Sequence, residues 1–102
     1  MSARTCFVVT DGRRGIENQA LGLAEAVARR TDLRLFPVHL PKSGGLEHPG
    51  ELAPDLWIGC GRAAVRAAAL HRKAFPNALM VYVQAPRGNE QYFDLIVAPR
   101  HD

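Results

Sequence analysis

Thr5-Cys6-Phe7-Val8-Val9-Thr10-Asp11-Gly12-Arg13-Arg14-Gly15 is the stretch on which the fold turns. Its first half is apolar without alternation, the pattern of a strand covered on both faces. Its second half is polar and glycine-bearing. An amphipathic segment follows, in which Ile16, Ala20, Leu23, Ala24 and Val27 recur at spacings of three and four. That stripe predicts a helix over 16–30. A strand that turns tightly into a helix opens a parallel α/β sheet. Its turn lies where such sheets bind ligands, because the helix start offers unpaired N–H groups.

The same alternation continues outward. Residues 33–38 read as a second strand, and Arg34 and Pro37 place it near the sheet margin. Residues 41–54 hold three prolines and three glycines without apolar periodicity and read as a loop. A third strand over 55–58 ends in Gly59-Cys60-Gly61. An alanine-rich helix over 62–75 is stopped by Pro76-Asn77, and strands over 79–83 and 94–98 complete the pattern. The expected fold class is α/β, a parallel sheet of about five strands with flanking helices, built as one domain across residues 1–102. In such a sheet the strand C-termini share one edge. The polar tips Thr10 to Gly15, Gly59 to Arg62, Gln84 to Arg87 and Arg100 to Asp102 then converge there, with Arg13, Arg14, Arg62, Arg87 and Arg100 along the rim.

Bulk composition narrows the class. The chain has 102 residues, 47% hydrophobic and 23% charged, ordinary for a soluble globular domain. The formal charge is +3, and eleven of the 13 cations are arginine. Arginine favours phosphate or carboxylate partners, although codon usage in a GC-rich genome raises arginine and alanine equally well. No segment reaches membrane-spanning length and no cleavable leader is visible, so a cytoplasmic location is expected. Cys6 falls near the start of one parallel strand and Cys60 just past the end of another, roughly 15 Å apart, too far for a disulfide. No basic stretch is interleaved with aromatics, which argues against a nucleic-acid partner. No histidine–cysteine spacing resembles a metal site, and no cofactor is expected.

Three constellations carry the candidate chemistry. In the first, Asp11, Gly12 and Gly15, with Asn18 on the helix, either hold a ligand hydroxyl or phosphate or merely form a turn that caps the helix. The spacing is neither a dinucleotide fingerprint nor a Walker loop. In the second, Gly59 and Gly61 either let the backbone approach an anion that Arg62 clamps, or form only a tight turn. Cys60 at that helix start is a thiol with no identifiable base. In the third, His101 beside Asp102, with Arg100, offers acid–base chemistry, is a terminal stub, or belongs to a site completed by residues outside this sequence. His39, His48 and His71 read as surface or packing residues, and Arg62, Arg66 and Lys73 as one basic helix face.

Thr10-Asp11-Gly12 with Gly15, Glu17-Asn18-Gln19-Ala20-Leu21-Gly22-Leu23-Ala24-Glu25-Ala26, Pro54-Asp55-Leu56-Trp57-Ile58-Gly59-Cys60-Gly61-Arg62 and Pro99-Arg100-His101-Asp102 together resemble the N-terminal part of the mitochondrial-fission "elongate mitochondria" family. The four segments stand in the family's order and span nearly the whole chain. The resemblance implies a Rossmann-like domain similar to the N-terminal half of GT-B glycosyltransferases, followed in the family by a second such domain. The segment over 41–54 looks shorter than the family's. The plant members recruit a dynamin-related protein, and bacterial members sometimes carry a nucleoside-diphosphate-sugar label. The implied ligand is therefore a nucleotide sugar or another anion. The implied alternatives are a non-catalytic module that recruits a protein partner, or a truncated product without its own activity. The residues carried over as lining the cleft are Asp11, Gly12, Gly15, Asn18, Gln19, Gly59, Gly61, Arg62, Arg100 and His101.

Overall fold

Every strand pairing is parallel. The structure, a computed structural model, describes residues 4–41, 53–84 and 88–98. The five strands are β1 (Arg4–Thr10), β2 (Leu33–His39), β3 (Leu56–Cys60), β4 (Leu79–Val83) and β5 (Leu95–Val97), and they lie in the order β2-β1-β3-β4-β5. Helices α1 (Arg14–Ala28) and α2 (Arg62–Ala74) connect β1 to β2 and β3 to β4, and a 3-10 turn spans Glu90–Tyr92. From β1 the chain steps outward to β2, then returns past β1 and builds the other way. The order therefore reverses between β1 and β3, and the tips of those two strands flank the crevice.

Period-two alternation sorts the core into two layers. Cys6, Val8, Ile58, Cys60, Val81 and Val83 face α1, whose Ala20 and Ala24 are buried against them. Phe7, Val9, Trp57, Met80 and Tyr82 face α2. That helix presents Ala63, Ala64, Ala67 and Ala68, so its backbone can approach the sheet closely. Both layers cover β1, which explains its unbroken apolar run. β2 is an edge strand with only Val38 buried, and Pro37, which lacks an N–H, is tolerated there.

Close approach dictates one glycine. A Cβ on Gly59 would lie 2.5 Å from two ring carbons of Trp57 and 3.0 Å from the Ala64 methyl. The indole lies over Gly59 and beneath α2, and Trp57 is fully buried. Burial of an apolar side chain of this size contributes roughly 2–3 kcal/mol. At the sheet's other flank, Asp94 ties three elements together. Its carboxylate accepts the Met80 N–H at 2.8 Å and an Arg72 Nη2 hydrogen at 2.9 Å, while Arg72 Nη1 donates to the Tyr92 carbonyl at 3.0 Å.

Most element bounds shift by one or two residues from the sequence reading, and four differences bear on the site or the sheet. α1 starts at Arg14, because extended Arg13 serves as its N-cap and Gly15 falls inside the helix. β3 runs on through Gly59 and Cys60, since Gly59 pairs with Val9 and Tyr82 and a ladder needs no side chain. β5 is trimmed to three residues, and the 3-10 turn before it was not anticipated. Most of the loop expected over 41–54, and the tail after Ala98, lie outside the described residues.

Candidate functional site

The tip of β1 is organised by its own side chains. Thr10 Oγ1 accepts the Gly12 N–H at 3.0 Å. Asp11 accepts the Arg13 N–H at 3.0 Å and the Arg13 Nε hydrogen at 2.7 Å. The Arg13 backbone N–H, then the Arg13 side chain, hold the Asp11 carboxyl below the usual carboxylate range against the cost of burial. Asp11 is thus engaged inside its loop. It bonds the N-cap residue itself, and no side chain caps α1. Gly12 has φ +87, and a Cβ there would sit 3.3 Å from the His39 ring. Glycine at this position gives His39 its seat. His39 Nε2 lies 2.6 Å from Glu17 Oε1, which joins the end of β2 to α1.

The tip of β3 is a second turn. Gly61 has φ +92 and is the N-cap of α2, without a side-chain cap. A Cβ there would meet the Ile16 side chain at 3.0 Å, so the starts of α1 and α2 meet at this point. Tyr82 Oη donates to the Gly61 carbonyl at 3.1 Å and pins the turn to β4. Burial raises the Tyr82 hydroxyl pKa, which keeps that proton in place. Cys60 is buried in the α1 layer, and burial pushes its thiol up to about 11. A helix start would lower it, but burial dominates and favours the protonated thiol. Cys6 is likewise free and raised to about 12 by burial.

Beside these tips, and extending along α2 toward the end of β4, lies a cavity of about 730 Å³. Ile16, Val65 and Ala69 supply apolar wall, Arg13, Arg62 and Arg66 supply charge, and Gln84, Asn89 and Tyr92 supply polar edges. The charge is unusually placed. Helix N-termini carry the positive end of the macrodipole and favour acidic residues. α2 instead begins with Arg62 and has no acid in its first turn, while α1 is entered through Arg13 and Arg14. Arg62 has no ion-pair partner among the described residues. The start of α2 and the Arg62 and Arg66 guanidinium groups therefore bear on one hollow, beside Arg13, whose Nε is already paired with Asp11. An anion there would meet unpaired N–H groups and fork-shaped donors together.

Of the residues picked from sequence, Gly61 and Arg62 line the cavity, and Asp11 and Gly12 underlie its Arg13 wall. Gln19 reaches it indirectly, by accepting a 2.7 Å hydrogen bond from Gln84 Nε2. Gly59 lies inside the core, and Gly15 and Asn18 are exposed on α1. A Cβ on Gly15 would touch nothing within 4 Å. Arg100 and His101, like Arg87, fall outside the described residues. Sequence reasoning placed the tip that begins at Gln84 on this edge without singling Gln84 out as a ligand residue, and it missed Asn89 and Tyr92 at the cavity. It had Arg66 one helical turn beyond Arg62 but read that face as solvated. Among the described residues, no group of three or more His, Cys, Asp or Glu is placed to hold a metal ion. None of their helices is long and apolar enough to cross a membrane.

Fold and rim together define the class: a Rossmann-like α/β domain with a basic cavity beside the point where strand order reverses. The family model described as mitochondrial fission ELM1 matches residues 14–102, and the chain belongs to that family. Over 50 residues it is 38% identical to the mitochondrial fission protein ELM1 of Arabidopsis thaliana. That stretch is 48% of this chain and only 12% of the relative. No solved structure matches.

Proposed function

We propose that this chain is a ligand-binding domain, glycosyltransferase-like in ancestry, that takes an anionic ligand of the phosphoryl type in the cavity beside the tips of β1 and β3. One observation carries the reading: Arg62, without an ion-pair partner among the described residues, opens α2, where the helix dipole disfavours a cation, and lines the cavity. A bound diphosphate would reverse that penalty, and a nucleotide sugar is the ligand class that the family likeness favours. Transfer chemistry is a proposal for a longer polypeptide, of which such a domain would form one wall. An NMR titration of the 15N-labelled chain with inorganic pyrophosphate tests the site. Saturable shifts of the Gly61, Arg62 and Ala63 amides support it, and amides that do not move contradict it.

A second reading, an interaction module, rests on a different surface. Leu79 and Leu95 are about half exposed on the α1 side of the sheet, beside partly buried Leu56 and Val97. α1 covers the β1–β3 part of that side, and the leucines lie near the strand starts, at the other end of the sheet from the cavity. The name of the Arabidopsis relative, a mitochondrial fission protein, is in keeping with a recruiting role. Under this reading Leu95→Asp abolishes partner binding and Arg62→Ala leaves it intact. The opposite pattern belongs to the anion site.

A further inference from the structure

The two margins of the sheet are built differently. β2 carries exposed Arg34 and Pro37, a charge and a missing N–H that both discourage pairing with another chain. β5, the other margin, is Leu95-Ile96-Val97, with neither charge nor proline. Among the described residues no strand pairs with its outer side. A parallel ladder engages alternate residues of an edge strand, so the backbone groups of the others turn outward unpaired. The face beside this edge is open as well. Leu95 is 53% exposed and Leu79 49%, both on the α1 side, where a parallel sheet is normally covered.

A strand of the same sequence, run antiparallel, answers both features. A two-fold axis through Ile96 sets Leu95 opposite Val97 of the second copy, and Asp94 opposite Ala98. No like charges then oppose each other, and the Asp94 carboxylate is already held by Arg72 of its own chain. The outer face of α2 offers the contrast. That helix has no acidic residue, and Arg62, Arg66 and Lys73 are exposed on it, so two copies repel there.

We infer that a second copy of this chain covers β5: the two β5 strands pair antiparallel about Ile96, join two five-stranded sheets into one, and gather Leu79, Leu95 and Val97 of both copies into one apolar cluster. Three paired residues and a few leucines bury far less than the ~800 Å² per partner of a stable interface. The dimer is therefore weak, with a dissociation constant on the order of 0.1 mM. It uses neither Arg62 nor the phosphoryl site, and it forms whether or not an anion binds.

Sedimentation equilibrium from about 20 μM to about 1 mM tests this, with 15N spectra over the same range. The mass should climb from 11.2 kDa toward twice that value, and the amides of β5 should shift as it does. Leu95→Lys and Leu95→Glu should each stay monomeric with the wild-type melting temperature. Mixed together they should associate, because the two Leu95 positions lie diagonally across the two-fold axis within reach of long side chains. A wild type that remains at 11.2 kDa throughout overturns the inference. So does a dimer that Leu95→Lys leaves unchanged, or a mixture that stays monomeric. Where either variant fails to fold, the wild-type amides decide: shifts centred on β5 support the pairing, and shifts centred elsewhere contradict it.

Discussion

Trp57 Nε1 donates to His71 Nδ1 at 2.9 Å, with both side chains fully buried. The indole N–H is the only polar group on that ring, and burying it unpaired would be costly. Accepting at Nδ1 requires that nitrogen to be unprotonated. The pair spans β3 and α2 and sets how the helix lies on the sheet. His71→Phe keeps the volume but orphans the indole donor. Denaturant unfolding should show a loss of about 1–3 kcal/mol. An unchanged midpoint would mean that the hydrogen bond contributes nothing net.

Gly59→Ala tests the packing beneath that bond. The added methyl would fall 2.5 Å from the rigid Trp57 ring. Overpacking of this kind costs roughly 1–3 kcal/mol. Trp57 fluorescence should shift as the indole is displaced, and the melting temperature should fall even with no ligand present. A variant as stable as wild type would mean that the ring has room to move.

Asp94 makes stability depend on acid. The Arg72 guanidinium, then the Met80 N–H, hold its carboxyl below the ordinary range. A pKa lowered in the folded state means that the stabilisation is complete above the unfolded value and is lost as pH falls through the folded one. Asp94→Ala should therefore be less stable than wild type near neutrality, by about 1–2 kcal/mol for a partly exposed, charge-assisted contact. That gap should narrow below about pH 4. Melting curves across pH 2–7 check it, and a gap that stays constant to the acid limit would contradict the assignment.

Much of the fold was legible because burial wrote itself into residue order. The unbroken run Cys6–Val9 marks a strand covered on both faces, and charged Arg34 with Pro37 marks the margin strand, as the sheet order bears out. The β3 terminus was not legible, because glycine reads as a breaker in isolation. Here Gly59 is a ladder residue whose missing side chain makes room for Trp57. At the rim, Gly61-Arg62 could be found because a strand-to-helix turn is local. The tip at Gln84 could be placed there too, but its bond to the first helix and the place of Tyr92 beside α2 could not, since tertiary packing alone makes them. The His39–Glu17 pair is of the same kind, joining residues 22 apart through the seat that Gly12 leaves open.

The most direct test of the basic cavity is the dissociation constant of inorganic pyrophosphate for wild type and Arg62→Ala, measured by titration calorimetry at low and near-physiological salt. The wild type should bind, more weakly as salt rises, and loss of the Arg62 guanidinium should weaken binding about ten- to a hundredfold, the scale of a charge-assisted hydrogen bond. The variant's melting temperature should match wild type, since Arg62 is exposed and unpaired among the described residues. Equal affinities for the two proteins, or no measurable heat with wild type at either salt, would contradict the account.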